Sequence, residues 1–283
     1  MEFFDGDAKL ITKKTVNVII ASHNRANLTF SCIDDLKRFS PEDVSLRIVL
    51  VDDGSTDDTI ARIRLSHPDV EIIAGDGTWY WAKSMSVADE YCADEESDLL
   101  WVNDDVRLLS DSISRAVALS STNPGSIIVG QCYSKNGTLT YGGLAKHSWH
   151  PFKYFLVESF SSPVTCDTFN GNFIFVPKNI RKAIGPIDGE FGHRFADLDY
   201  GLRSLKLGFA NLIIPGAIGF CERNTTTPRK SAIRRVLDTG APKNLPIKAL
   251  WRFVKKHGKR GSCIFIPIPY IKALFGFSQR EIA

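Results

Sequence analysis

Apolar runs and amphipathic stretches alternate along the first two hundred residues. Residues 16–22 (Val-Asn-Val-Ile-Ile-Ala-Ser) form a β-rich run that breaks at the polar turn Ser22-His23-Asn24-Arg25. Helical spacing follows over about 26–39, and Pro41 stops it. Residues 45–51 predict a second strand, ending in Asp52-Asp53-Gly54-Ser55-Thr56-Asp57-Asp58. Ser55, with Asp58 three residues on, reads as the cap of a helix running to about residue 66. Residues 70–74 predict a short third strand. Gly75-Asp76-Gly77 and the aromatics Trp79-Tyr80-Trp81 then lead into a helix ending near Cys92. The fourth run, Leu99-Leu100-Trp101-Val102, passes directly into Asn103-Asp104-Asp105. Strands alternating with helices predict an α/β fold with a mostly parallel sheet covered on both faces.

The second half is less regular. The pattern predicts a helix over 111–122 and a strand over 126–133. Loops with a short hairpin follow over 135–164, then one strand over 168–176 and a short helix over 177–183. Leu198, Leu202 and Leu205 then recur at helical spacing up to Gly208. Asp197 and Asp199 fall in the first turn of that helix, where its dipole favours anions. A spacing of two puts them on different sides. Asp199 has Arg203 four residues on as an ion-pair partner, so Asp199 is assigned a structural part and Asp197 the cleft. Residues 211–214 predict a last strand ending at Pro215-Gly216.

The strand end at Asp104-Asp105 carries the first chemical signal. In open α/β sheets, ligands sit beyond the carboxyl ends of the strands. Two adjacent carboxylates there repel each other unless a cation joins them. Oxygen ligands of this kind suit Mg2+ or Mn2+ shared with substrate phosphates. The paired glycines before Trp79 let backbone approach a ligand, and Lys83 is placed either at a phosphate or on a solvated helix face.

At 283 residues with 43% hydrophobic and 24% charged side chains, the composition is that of an ordinary globular protein. The start, Met1-Glu2-Phe3-Phe4-Asp5-Gly6-Asp7, is acidic and unlike a signal peptide. No run of 18 apolar residues occurs, so a cytoplasmic protein without a membrane span is expected. Six scattered cysteines without a CxxC pair read as reduced thiols, neither a disulfide frame nor a zinc site. The net charge of +3 conceals an asymmetry: residues 228–260 carry eleven Lys/Arg against Asp238, a local +10, and the remainder is −7. Such a tail predicts an anionic partner, and it carries no nucleic-acid-binding motif.

Taken in order, these motifs resemble family 2 glycosyltransferases with the GT-A nucleotide-sugar-binding fold. The resemblance covers about residues 15–225. It rests on Ser22-His23-Asn24-Arg25, Val51-Asp52-Asp53-Gly54-Ser55-Thr56-Asp57, Asn103-Asp104-Asp105 in the place of the DXD motif, Gly171-Asn172, and Ala196-Asp197-Leu198-Asp199. Trp79-Tyr80-Trp81 is similar to the rhamnosyltransferase-like branch.

The resemblance implies roles. Ser22, His23 and Arg25 line the nucleotide pocket, Asp52 or Asp53 binds base or ribose, and Lys83 lies near the diphosphate. Asp105 holds Mn2+ or Mg2+, with Asn103 or Asp104 on the ribose or the metal's waters. Asp197 is the general base of an inverting displacement. Trp79, Trp81, Asn172, His193, Arg194 and Asp199 line or support the acceptor side. The implied donor is a dTDP- or UDP-sugar, with rhamnose first, and the acceptor is a surface-polysaccharide or lipid-linked saccharide. The implied layout is a nucleotide-binding half over about 15–110, an acceptor half over about 111–225, and a basic helical extension over 226–283.

Two positions depart from the family. Its helix motif begins Glu-Asp, where this chain has Ala196. A His often follows its last strand, where this chain has Cys221. Either Glu222 substitutes, or the metal has one protein ligand fewer and Cys221 is a core thiol. In the tail, 250–257 reads as a basic amphipathic helix and 264–275 as an apolar stretch broken by Pro267 and Pro269. Together they read either as a peripheral anchor on the inner face of the cell membrane or as a cap on the catalytic domain or a second subunit. Two rival functions share these features. A nucleotidyltransferase is opposed by the glycine-free turn after the first strand. An inactive nucleotide- or sugar-binding module is favoured by Ala196 and Cys221 and opposed by intact Asp105 and Asp197.

Overall fold

The structure, a computed structural model, describes residues 13–93, 96–223, 231–242 and 244–275. The acidic start read from residues 1–7 lies outside them, as do 226–230 and 276–283 of the tail.

The predicted alternation forms as β1 (Lys14–Ser22), α1 (Ala26–Arg38), β2 (Val44–Asp52), α2 (Thr59–Ser66), β3 (Glu71–Ala74), α3 (Tyr80–Tyr91) and β4 (Asp98–Val102). The short β5 (Arg107–Leu108), α4 (Ser112–Thr122) and β6 (Ser126–Tyr133) follow. Next come five short strands, β7 (Leu139–Tyr141), β8 (Gly143–Lys146), β9 (Tyr154–Val157), β10 (Val164–Cys166) and β11 (Thr168–Phe169), before β12 (Phe173–Val176) and α5 (Lys178–Ile184). A 3-10 turn at Gly189–Phe191 precedes α6 (Ala196–Lys206) and the long β13 (Ala210–Phe220). The extension contributes α7 (Ala232–Gly240), α8 (Ile247–His257), a 3-10 turn at Ser262–Phe265 and α9 (Ile268–Phe275).

The main sheet runs β10-β13-β6-β12-β4-β1-β2-β3, with β5 beside β13 and β7 beside β6. β1 is parallel to β2 and β4, β2 to β3, and β13 to β6. β12 is antiparallel to both β4 and β6. That inversion brings the amino end of β12 level with the carboxyl ends of its neighbours, because Phe173 pairs with Val102. A second sheet, β11-β8-β9, stands apart from it. Each sheet face carries its own apolar core. Ile19, Trp101, Ile174 and Phe195 lie on one side, and Val18, Leu100, Phe173 and Ile218 on the other. β4 is buried along its whole length, as a strand covered on both faces must be.

Three predicted elements differ. α2 starts at Thr59, not at Ser55: Asp57 accepts from the Thr59 amide and hydroxyl, and Ser55 instead accepts from the Asn24 amide at 2.7 Å. The single strand expected over 168–176 is two strands in different sheets, β11 and β12, divided at Asn170-Gly171-Asn172. β13 does not stop at Pro215-Gly216. It continues to Phe220 through two register shifts, so that its end reaches the same edge as Asp105.

Candidate active site

Several chain segments meet at the carboxyl edge of the main sheet. Ser22, at the end of β1, shares a 2.7 Å hydrogen bond with the Thr29 hydroxyl of α1. The β1 and β2 turns are tied together. The Asp53 carbonyl lies 2.6 Å from His23 Nδ1, and the Asn24 side-chain carbonyl accepts from the Thr56 amide at 2.7 Å. Gly54 has φ +67°, and a Cβ there would fall 2.7 Å from the Gly77 nitrogen, so only glycine lets the β2 turn touch the 75–77 turn after β3.

The two aspartates after β2 divide their work. Asp53 accepts from the amides of Gly77, Trp79 and Tyr80 at 2.9, 3.2 and 2.8 Å, which holds Tyr80 at φ +56° and fixes the start of α3. Asp52 accepts from the Ser55 amide with one oxygen. Its Oδ1 is buried with no hydrogen-bond partner among the described residues.

At the tip of β4, Arg25 Nη1 donates to Asp104 and to Asp105, 2.9 Å each. One guanidinium thus serves two carboxylates. Asp104 is buried, and desolvation raises its pKa to about 6 against the pull of Arg25. Asp105 keeps more exposure. Its Oδ1 accepts from the Cys221 thiol at 3.4 Å, and the same sulfur lies 3.6 Å from Asn172 Nδ2. Burial pushes the Cys221 thiol well up, so it stays protonated. Glu222 turns away and accepts from the Lys135 amide at 2.8 Å. Of the two side chains weighed for the missing His, Cys221 is therefore the one that meets Asp105.

The Gly171–Asn172 turn joins this corner to the second carboxylate. The Asn172 carbonyl accepts from the Asn103 amide at 3.0 Å, while the Gly171 amide donates to Asp197 at 3.1 Å. Trp81 closes the gap: its indole donates to the Asn103 side chain at 2.7 Å, and a Cβ on Gly171 would strike its ring at 2.5 Å. Asp197 also accepts from the Leu198 amide at 2.8 Å. Burial raises the Asp197 pKa, opposed by those two amides and by Arg194. Burial likewise lowers Arg194, opposed by the Asp197 charge.

Ser22, His23, Arg25, Asp52, Asp53, Trp79, Trp81, Asn103, Asp104, Asp105, Asn172, Arg194 and Asp197 are thus linked around one edge. Lys83 is not among these contacts. It is exposed on α3 and flanks a shallow recess with Glu90, Asp188, Glu190 and Lys256. Asp199 points away into the protein interior, against Arg203 at 2.8 Å and His257 at 2.7 Å. Three neighbours escaped the sequence reading. Thr29 joins Ser22 to the Asp104 side, Tyr141 sits near Cys221 and Asp105 with its phenol raised by burial to about 12, and Arg223 lies over the Tyr141 ring. Thr29 was legible as the helical position four after Arg25. Tyr141 lay in a stretch read only as loop and hairpin.

Comparison with known proteins bears on the family and the fold. The family model described as Glycosyl transferase family 2 matches residues 17–182. No curated protein matches the chain. Three solved structures are similar in fold. The mannosyltransferase PcManGT from Pyrobaculum calidifontis, in complex with GDP-Man and Mn2+, is 17% identical with a TM-score of 0.54, over 92% of this chain and 69% of that one. S. aureus TarS 1-349 is 14% identical with a TM-score of 0.57, over 94% and 73%. GalNAc-T7 with UDP, GalNAc and Mn2+ is 12% identical with a TM-score of 0.61, over 93% and 58%. At these identities the likeness concerns the GT-A fold alone. The family match spans more than half of the chain, from within β1 into α5, and on that ground the chain belongs to glycosyl transferase family 2 and is a glycosyltransferase.

Proposed function

We propose that the protein transfers a sugar, with inversion, from a nucleoside diphosphate-sugar to a saccharide or lipid-linked saccharide acceptor. One observation carries this reading. A single turn, Gly171–Asn172, holds Asp197 at one end and meets the Asp105–Cys221 corner at the other. A general base and a phosphate-side carboxylate thereby flank one edge.

In this reading residues 15–110 form the nucleotide half and 111–225 the acceptor half. Ser22, His23, Arg25, Asp52, Asn103 and Asp104 line the nucleotide. Asp53 acts by fixing the 77–80 turn, and Lys83 is the cation to test for the diphosphate. Trp79, Trp81, Asn172, His193 and Arg194 face the acceptor. A dTDP- or UDP-sugar, with rhamnose first, is the donor to test.

The donor set suits a hard divalent ion held by few protein oxygens. No group of three His, Cys, Asp or Glu side chains among the described residues converges on one point. Asp105 offers carboxylate oxygen, and the soft sulfur of Cys221 is a poor match for Mg2+ or Mn2+. Asp105 would hold the ion together with substrate phosphates and water, as Mg2+ sites usually do. The ion would neutralise the charge developing on the nucleoside diphosphate as it leaves. Arg25, already between the two aspartates, adds fixed positive charge on the same side. Asp197 takes the proton of the acceptor hydroxyl as that oxygen bonds to the anomeric carbon. The bond from that carbon to the diphosphate oxygen breaks on the opposite face. Its raised pKa suits Asp197 to this work at near-neutral pH.

The extension supplies the place of action. Eight of the eighteen exposed large apolar side chains among the described residues lie within 231–275, including Ile233 and Leu237 on α7 and Ile271, Leu274 and Phe275 on α9. α7 and α9 are tied together, since Arg235 donates to the Ala273 and Leu274 carbonyls. On α8, exposed Ile247 and Trp251 stand beside exposed Lys248 and Lys255. Apolar side chains among lysines match an anionic lipid surface. No helix among the described residues is long and apolar enough to cross a membrane, so contact would be interfacial.

The test of the reaction is calorimetry with nucleoside diphosphates and nucleotide-sugars, with and without Mn2+. Metal-dependent binding of one nucleotide, lost in Asp105→Ala, supports the reading, and no binding of any nucleotide overturns it. Flotation with phosphatidylglycerol vesicles tests the surface. Equal recovery of the full chain and an Ile271→Glu/Phe275→Glu variant would remove the lipid assignment.

A further inference from the structure

The clearest feature outside the cleft is the seam between α8 and the start of α6. Phe195, the residue before α6, is 1% exposed and has φ +75°, a left-handed conformation that a bulky side chain rarely adopts. Such backbone persists only where its surroundings over-determine it. Here the nearest ring comes from the extension. The Phe253 ring of α8 lies 4.9 Å from the Phe195 ring, and both lie within 6.4 Å of Phe191 and Phe152. One turn further along α8, His257 Nε2 lies 2.7 Å from Asp199 Oδ1, and Lys256 Nζ reaches the same oxygen at 2.6 Å. Lys256 and Arg252 also bind Asp188, which caps the 3-10 turn leading to this segment. Asp197 sits between the two anchored residues, Phe195 and Asp199.

We infer that α8 of the extension is a positioning element for the catalytic base: Phe253 and His257 clamp the backbone on either side of Asp197 and so aim its carboxylate at the Gly171 turn. The inference rests on the proposed role of Asp197. It explains why the residue before α6 is a phenylalanine in a left-handed turn. A glycine would adopt that turn freely but would give α8 no ring to grip. It also explains why Asp199 is fully buried yet surrounded by cations from two helices. Asp199 transmits the hold of α8 to the helix that carries the base. Neither Phe253 nor His257 is among the contacts of the nucleotide side, so the clamp acts on the chemical step and not on donor binding.

The test uses the full chain with His257→Leu, His257→Gln, Phe253→Leu and Phe253→Ala. Three quantities are read on the same preparations: UDP and Mn2+ binding by calorimetry, hydrogen exchange of the 195–199 amides by mass spectrometry, and nucleoside diphosphate release. The donors are dTDP-rhamnose, UDP-N-acetylglucosamine and GDP-mannose, with water as acceptor. A small misplacement of a reacting group costs up to about 100-fold in rate, so His257→Leu and Phe253→Leu are expected to lower kcat by roughly tenfold or more. Donor KM and UDP binding should stay within about twofold, the pattern of an interaction lost only in the transition state. Exchange at 195–199 should quicken, and His257→Gln, which keeps an N–H donor for Asp199, should restore most of the rate. If Phe253→Ala does not fold, Phe253→Leu decides. Folded His257→Leu and Phe253→Leu proteins with wild-type kcat, or with unchanged exchange at 195–199, overturn the clamp. Failure of the wild-type chain to bind or turn over any nucleotide instead counts against the proposed reaction, and the exchange measurement still decides whether α8 fixes the segment.

Discussion

Two acidic regions of this molecule hold aspartates in pairs and treat them in opposite ways. At the tip of β4, Asp104 and Asp105 share one guanidinium, Arg25, and Asp105 alone also meets the Cys221 thiol. At the seam of α6 and α8, Asp199 and Asp188 are met by Arg203, Lys256, His257 and Arg252. The first region keeps net negative charge and lies at the sheet edge. The second is neutralised by its own chain and closed. A carboxylate left short of cations by the fold is one prepared for a cation from outside, whereas a saturated carboxylate holds elements together.

The sharpest break of this comparison is Asp105→Ala. It should lower Mn2+-dependent nucleotide binding and turnover by on the order of 100-fold, since a phosphate-side charge clamp is removed. Melting temperature should change little, because Arg25 keeps Asp104 as a partner. Calorimetry and a thermal melt on the same sample check both halves.

The converse break is Asp199→Ala, which leaves Arg203, Lys256 and His257 facing each other without their anion. Removing one partner of a buried ion pair costs about 3–5 kcal/mol, read as a shift of the urea midpoint. Donor binding in the remaining folded protein should persist.

Acid titration sharpens the contrast, because the two regions have slopes of opposite sign. Asp199 is held down to about 2, by the His257 and Lys256 hydrogen bonds and the nearby Arg203 charge against the cost of burial. Its stabilisation is complete above about pH 4 and is lost as the pH falls through about 2. Asp104 is pushed up to about 6 by burial, so its contribution is complete below about pH 4 and is lost as the pH rises through about 6. Each amounts to roughly 2–3 kcal/mol at most. Urea melts from pH 2 to 7 should show Asp104→Asn flattening only the upper branch and Asp199→Asn only the lower.

The smallest expected effect is Cys221→His. An imidazole beside Asp105 would offer a second ligand where the thiol offers a proton, and it should tighten Mn2+ binding by a few-fold. Unchanged Mn2+ affinity would mean that Cys221 faces Asp105 without reaching the ion.

Much of the first region was legible. The strand-helix rhythm through β4 and the acidic tip follow from local pattern, as does the Asp199–Arg203 pair of the second region. They depend on period, cap and spacing within about a dozen residues. The breaks came where long-range pairing overrode local pattern. Residues 168–176 are apolar enough for one strand, yet the two halves join different sheets at Gly171. β13 runs through Pro215 because its bulged register with β6 accommodates it. Lys83 follows two glycines, as a phosphate-binding residue does, and the fold sets it on a shallow recess beside Asp188, Glu190 and Lys256, a neighbourhood that its spacing did not reveal.

Sequence alone determined the chemistry on offer: carboxylates at a strand tip, an acid in the first turn of α6, a cysteine in place of a histidine, and a basic tail with apolar faces. Those follow from residue type and short spacing, which need no fold. Tertiary structure decided which aspartate meets which cation. Arg25 spans both Asp104 and Asp105, Cys221 reaches Asp105 across 116 residues, and His257 closes on Asp199 across 58. Such pairings depend on strand order, the inverted β12 and the docking of α8, and no local periodicity encodes the distance between residues so far apart in the chain.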